Sequence, residues 1–178
     1  KVFCTEKMYK YINYIKNYEF IEKNHFEIGD FEIKVIKTSH DTEDSNGYIV
    51  SSNERSLVYI TDTGYINQKY FDCLSNHEVY ILESNHDIEM LNNGPYPYEL
   101  RKRIYGDKGH LSNIDCSKYL ANFIGDKTRC VMLAHLSEEN NDPNIAYKTL
   151  KEKLESSNKC VENIIIAKQN EVTEFVEV

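Results

Sequence analysis

Three turns bearing histidine or aspartate each follow directly on an apolar run. Val35-Ile36-Lys37-Thr38-Ser39 leads to His40-Asp41, Leu57-Val58-Tyr59-Ile60-Thr61 leads to Asp62-Thr63-Gly64, and Val131-Met132-Leu133-Ala134 leads to His135-Leu136-Ser137. Neutral imidazole and carboxylate are donors for a divalent cation such as Zn²⁺ or Mn²⁺. In open α/β sheets, ligands and catalysts gather where strands end. Singly, each residue has a blander explanation. A histidine after a strand more often bonds a backbone carbonyl, and aspartate before Thr-Gly is by default a turn residue. The repetition favours a metal site. Two further clusters add to it. Glu83-Ser84-Asn85-His86-Asp87 follows the apolar run Glu78-Val79-Tyr80-Ile81-Leu82. Gly106-Asp107-Lys108-Gly109-His110-Leu111-Ser112-Asn113 places His110 in a glycine-bounded loop before a helix start. There a histidine could give a proton and the helix start could hold an anion, although a turn and a cap explain the same residues.

The elements that must carry these groups follow from periodicity. Val2-Phe3-Cys4 reads as a short strand, and Glu6 to Asn17 as an amphipathic helix capped by Thr5. Phe31 to Lys37 alternates with period two, as a half-buried strand does. Gly47 to Val50 and Ser56 to Thr61 read as a hairpin turning at Ser52-Asn53-Glu54. Beyond Glu78 the pattern changes to strands alternating with helices: helices at Pro97 to Tyr105, Ser112 to Ile124 and Asn144 to Glu155, and strands at Cys130 to Ala134, Ile164 to Ala167 and Thr173 to Val176. The uninterrupted run at Cys130 to Ala134 is of the kind buried on both faces. A hairpin block followed by alternating elements predicts layered α/β architecture with a mixed sheet.

Composition restricts the rest. The chain has 178 residues with 21 Lys+Arg against 29 Asp+Glu, a net charge of −8. That balance opposes binding nucleic acid through the bare surface, which normally needs a basic footprint. Bound cations or a local patch would have to supply the positive field. Arg101-Lys102-Arg103 with Lys108 is the compact basic group, and a solvated helix face explains it equally well. Five cysteines without CxxC spacing argue against a disulfide framework, and no leader or membrane-length apolar run is visible, so a cytoplasmic setting is expected.

The strings Thr38-Ser39-His40-Asp41, Thr61-Asp62-Thr63-Gly64, Leu82-Glu83-Ser84-Asn85-His86-Asp87, Gly109-His110-Leu111-Ser112-Asn113 and Ala134-His135-Leu136-Ser137-Glu138-Glu139-Asn140-Asn141 are collinear with a known pattern. They resemble the YycJ (WalJ) group of metallo-β-lactamase-fold hydrolases, relatives of ribonuclease Z and of PhnP-type phosphodiesterases. The resemblance implies an αββα sandwich of mixed sheets flanked by helices. It implies His40, Asp62 and His135 as metal ligands, with Asp62 bridging two divalent cations, Zn²⁺ or Mn²⁺. It assigns His110 as proton donor and Glu83 as the residue orienting it. The implied activity is two-metal phosphodiester hydrolysis, in this group 5′→3′ DNA exonuclease action. A small-molecule phosphodiesterase, another hydrolase of the fold, or a metal-free interaction module are the alternatives.

The family's main ligand motif, HxHxDH, is missing, since no two of the six histidines stand two residues apart. Residues 1–178 are therefore expected to form the C-terminal portion of one truncated domain. Such a portion should bind metal weakly and show little nuclease activity. It would also leave an apolar face seeking a second copy or another partner.

Overall fold

The computed structural model describes all residues except Glu54, Glu174, Val176 and Val178. The chain opens with β1 (Val2–Cys4), α1 (Glu6–Ile12) and β2 (Tyr18–Phe20), β1 and β2 pairing in parallel as a separate two-stranded sheet. The Thr5 hydroxyl accepts from the Met8 N–H and caps α1. The helix stops well short of the expected Asn17, because a parallel partner requires the chain to cross back beside Val2–Cys4. Periodicity does not reveal that return.

Seven strands form the main sheet in spatial order: β3 (His25–Ile28), β4 (Phe31–Lys37), β5 (Asn46–Ser52), β6 (Arg55–Ile60), β7 (Val79–Glu83), β8 (Cys130–Ala134) and β9 (Asn163–Ile166). β3 to β6 pair antiparallel, and β6 to β9 pair parallel. Gly29 (φ 59°) and Asn53 (φ 53°) take the left-handed conformations at the two hairpin turns. Since β5 opposes both neighbours, β4 and β6 run in the same direction. The C-terminal ends of β4, β6, β7 and β8 therefore lie along one edge, which positions the site.

The helices that follow are α2 (Phe71–Leu74), α3 (Ile88–Asn93), α4 (Tyr98–Tyr105), α5 (Asn113–Phe123) and α6 (Pro143–Ser156). α5 starts where Ser112 accepts from the Asp115 N–H, and α6 where Asp142 precedes Pro143 and accepts from Asn144 and Ile145. The core joins Val58, Ile60, Tyr80, Leu82, Val131 and Leu133 of the sheet to Leu120 and Phe123 of α5 and Leu150 and Leu154 of α6. Each such side chain contributes roughly 1.5–3 kcal/mol on leaving water.

The opposite face is covered less completely. Tyr59, Ile81, Met132 and Ile165 are register partners across β6 to β9; Tyr59 is 40% exposed and the other three are half-buried. The expectation that Cys130 to Ala134 is buried on both faces thus fails at Met132. The strand expected at Thr173 to Val176 lies partly outside the described residues, and neither Thr173 nor Phe175 is in a strand. No helix among the described residues is long and apolar enough to cross a membrane.

Candidate metal centre

His40, Asp62, Glu83, His110 and His135 arrive at the same edge. His40 sits in the loop after β4, Asp62 just past β6, Glu83 at the end of β7, and His135 just past β8. His110 arrives from the turn after α4, its N–H bonded to the Ile104 carbonyl. Asp62 (φ 54°) and His135 (φ 57°) both adopt the left-handed region. That conformation costs a non-glycine residue roughly 1 kcal/mol, and its occurrence at two candidate ligands marks the edge as a place where local strain is tolerated.

Asp62 Oδ1 lies 3.7 Å from His40 Nε2 and 3.6 Å from His135 Nε2. The other nitrogen of each ring is already engaged: His40 Nδ1 is 3.1 Å from the Gly109 carbonyl oxygen, and His135 Nδ1 is 2.8 Å from Glu83 Oε1. Anchoring Nδ1 in this way fixes the ring and leaves Nε2 for a ligand. Around a cation with bonds of about 2.0 Å, neighbouring donors stand about 3.3 Å apart. The observed spacings are close to that, so these residues fit a divalent cation.

Glu83 is fully buried. Its Oε1 accepts from His110 Nδ1 at 2.6 Å as well as from His135 Nδ1, and its Oε2 accepts from the Thr63 N–H at 3.0 Å. Burial pushes this carboxyl up, but the hydrogen bonds from His110 and His135 outweigh it and hold it below the ordinary range. The same Glu83 contact raises His135, against the burial that lowers it. Donor atoms of His40, Asp62 and His110, and separately of Glu83, His110 and His135, lie within 4.8 Å of one another. Glu83 is the least available donor among them, because its lone pairs are already spent on the two imidazoles and a backbone amide. Glu83 therefore touches both His110, as the resemblance implies, and His135, which sequence reasoning missed.

Behind the centre lies a buried amide network. Ser84 Oγ donates to Asn113 Oδ1 at 2.6 Å, and Asn113 Nδ2 donates to Asn141 Oδ1 at 2.8 Å. Asn141 Nδ2 reaches back to the carbonyls of Ser84 and Asn85 at 2.8 and 3.0 Å. Asn85 Nδ2 donates to the His135 carbonyl at 2.9 Å, and the Asn85 N–H donates to the Leu111 carbonyl at 2.9 Å. One residue thus ties the loops carrying His110 and His135. The sequence signal was the cluster of short amides beside each histidine, but not their pairing.

Two other sequence features resolve differently. His86 turns into the protein: it is 1% exposed, neither ring nitrogen has a partner among the described residues, and burial pushes it down to about 4. The basic group is split. Arg103 forms a two-pronged pair with Asp41 and holds that carboxyl down at about 2, Arg101 donates to the Asn92 carbonyl, and Lys102 and Lys108 are exposed.

No protein-family model matches the chain. It is 38% identical over 127 residues to exodeoxyribonuclease YycJ of Bacillus anthracis, covering 71% of this chain and 48% of that protein. To exodeoxyribonuclease WalJ of Streptococcus pneumoniae it is 37% identical over 122 residues, covering 68% and 45%. The chain spans about half the length of the curated relatives it matches. Among solved structures, the metallo-β-lactamase fold protein YhfI of Bacillus subtilis superposes with a TM-score of 0.66 at 15% identity, over 97% of this chain and 64% of that one. Zn²⁺-bound PqqB of Methylobacterium extorquens gives 0.63 at 11% identity, over 93% and 61%. At such identities these superpositions speak to fold alone, and they agree with the mixed sheet and its flanking helices. By sequence and by fold, the chain is YycJ/WalJ-like and has the metallo-β-lactamase fold.

Proposed function

We propose that this chain is the C-terminal portion of a metal-dependent phosphodiester hydrolase, acting as a YycJ-like 5′→3′ DNA exonuclease. His40 and His135 would each hold one of two divalent cations, Zn²⁺ or Mn²⁺, with Asp62 shared between them. The observation that carries this reading is Asp62 Oδ1 placed between two Nε2 atoms whose rings are fixed through Nδ1. Bound there, the cations would supply Lewis-acid polarisation of a phosphoryl oxygen and a nucleophile at neutral pH. The remaining work falls to the chain's own groups. Glu83 fixes His110 through Nδ1, leaving Nε2 to hold a proton for the departing oxygen. Asn85 and Asn141 hold the loop of His135 against its left-handed strain.

Cations at this edge also reconcile a nucleic acid substrate with a net charge of −8. The half-exposed row Tyr59–Ile81–Met132–Ile165 is the face on which a second layer of the sandwich, or a second copy, would pack. Five free cysteines suit a cytoplasmic protein.

Calorimetric titration with Zn²⁺ and Mn²⁺, beside degradation of linear duplex DNA and hydrolysis of bis(p-nitrophenyl) phosphate, tests the reading. The 178-residue chain should bind metal weakly and in a manner lost in His135→Ala and Asp62→Ala, with little hydrolysis of either substrate. Tight binding of two cations, with DNA degradation lost in His135→Ala, would overturn the expectation of a weak site. Metal binding indifferent to both substitutions would overturn the metal-site reading itself.

A further inference from the structure

A cleft of about 960 Å³ opens beside the candidate centre. His110 and His135 line it, together with Tyr96, Leu100 and Arg103 from the segment around α4 and Lys168 just beyond β9. Its size is at the upper end of small-molecule sites, so it can hold more than a phosphate group. With Glu138, Glu139 and Glu171 also on its wall, the lining offers an aromatic ring, an aliphatic side chain and two cations next to the histidines. That is the mixture a nucleotide presents in complement: a flat base, a sugar and an anion.

The state of the cations is informative. Arg103 grips Asp41 through Nε and through Nη2, the latter 3.0 Å from Oδ1. This fork is the geometry with which a guanidinium also takes a phosphate. The pair lies at the surface, where a carboxylate is readily exchanged for another anion. Asp41 adjoins His40 and Arg103 lines the cleft, so the pair links the cleft to the centre. Lys168 is likewise held by a carboxylate, Glu171, at 2.7 Å. Tyr96 is half-buried and lines the cleft.

We propose that this cleft is a nucleotide subsite: it takes the nucleotide adjoining the scissile phosphodiester, Arg103 exchanges Asp41 for that nucleotide's phosphate, and Tyr96 packs against its base. The proposal rests on the phosphodiester-hydrolase reading and adds where the substrate lies. Asp41 acts as a placeholder for the phosphate. Removing its charge should therefore tighten binding, whereas removing the guanidinium should weaken it. A purely structural ion pair predicts no such opposition of sign.

The probe is deoxythymidine 5′-monophosphate, with thymidine as the phosphate-free control, titrated into the full chain with chelator present and followed by NMR shifts. Arg103→Gln should weaken nucleotide binding about tenfold or more, the loss expected for a hydrogen bond to a charged group. Arg103→Lys, which keeps the charge but not the fork, should fall between. Asp41→Asn should strengthen binding, and Tyr96→Ala should weaken nucleotide and thymidine alike by about fivefold. Nucleotide affinity within twofold of the parent in both Arg103→Gln and Asp41→Asn would overturn the proposal, as would absence of binding at about 1 mM. Unfolding curves for each variant separate lost binding from lost fold. Failure here with His135-dependent metal binding intact would leave the hydrolase reading standing. The reverse result would remove that reading while leaving a nucleotide site.

Discussion

Both ends of the main sheet carry a buried glutamate near a histidine, yet only one end leaves imidazole nitrogens open. At the C-terminal edge, Glu83 engages His110 and His135 through Nδ1 and leaves both Nε2 atoms open. At the N-terminal edge, Glu78 is 7% exposed and accepts from the N–H and hydroxyl of Ser56. There His77 has Nδ1 2.8 Å from Ser56 Oγ and Nε2 2.8 Å from the Cys73 carbonyl oxygen. Both of its nitrogens are consumed. Residue types are nearly the same at the two ends. What differs is the number of donor atoms left over once the fold has satisfied itself. The C-terminal edge also holds two candidate ligands, Asp62 and His135, in left-handed backbone and the buried His86, which has no hydrogen-bond partner among the described residues.

The contrast can be broken most decisively at the two glutamates. Glu83→Ala should lower Zn²⁺ affinity by about 10–100-fold, the usual effect of losing the partner that orients a ligand. It should also destabilise the fold by about 3 kcal/mol, because two imidazoles and the Thr63 amide lose their acceptor. Glu78→Ala should affect stability alone. Calorimetry and urea unfolding on both variants decide the matter, and equal losses of metal affinity would erase the distinction between the ends.

A comparable effect belongs to His86. Unfolded, it titrates near its ordinary 6.5; folded, it is held down to about 4. The unfolded chain therefore takes the proton first. Above about pH 6.5 this group imposes no penalty. Stability then falls as the pH drops towards 4, by ~3 kcal/mol in all, and this group adds no further loss below that. Urea midpoints between pH 7 and 4 should fall less steeply in His86→Leu than in the parent. Parallel slopes would show that the buried ring is not the cause.

The smallest expected effect sharpens the comparison rather than breaking it. Asn85→Ala frees the His135 carbonyl and should cost about 1–2 kcal/mol while weakening metal binding. Thr128→Val at the other end removes a 2.9 Å hydrogen bond to the His77 carbonyl, with a similar cost in urea and no change in metal affinity. A drop in metal affinity with Thr128→Val would mean that the ends are coupled through the sheet.

How much of this was legible beforehand depended on range along the chain. Apolar runs ending in His40, Asp62 and His135 announce themselves locally, because a strand and the turn after it are adjacent in sequence. Helix starts at Ser112 and Asp142 were readable for the same reason. Glu83 taking His135 as a second partner was not, since the two are 52 residues apart and nothing in either string requires the contact. Asn141 returning to β7 is of the same kind, 57 residues from Ser84. The short β2 and α3 escaped because three and six residues are too few to establish a period. Left-handed Asp62 and His135 escaped because side-chain chemistry there overrides backbone preference.

The single antiparallel strand β5 between β4 and β6 has a wider consequence. The centre obeys a parity rule: His40 shares an edge with Asp62 only because the chain reverses twice between them. One added or lost strand in that stretch would carry His40 to the opposite rim, whatever its local sequence. Insertions there are compatible with the centre only as whole hairpins, so the block from β4 to β6 can lengthen in even steps while the edge that carries the candidate centre stays fixed.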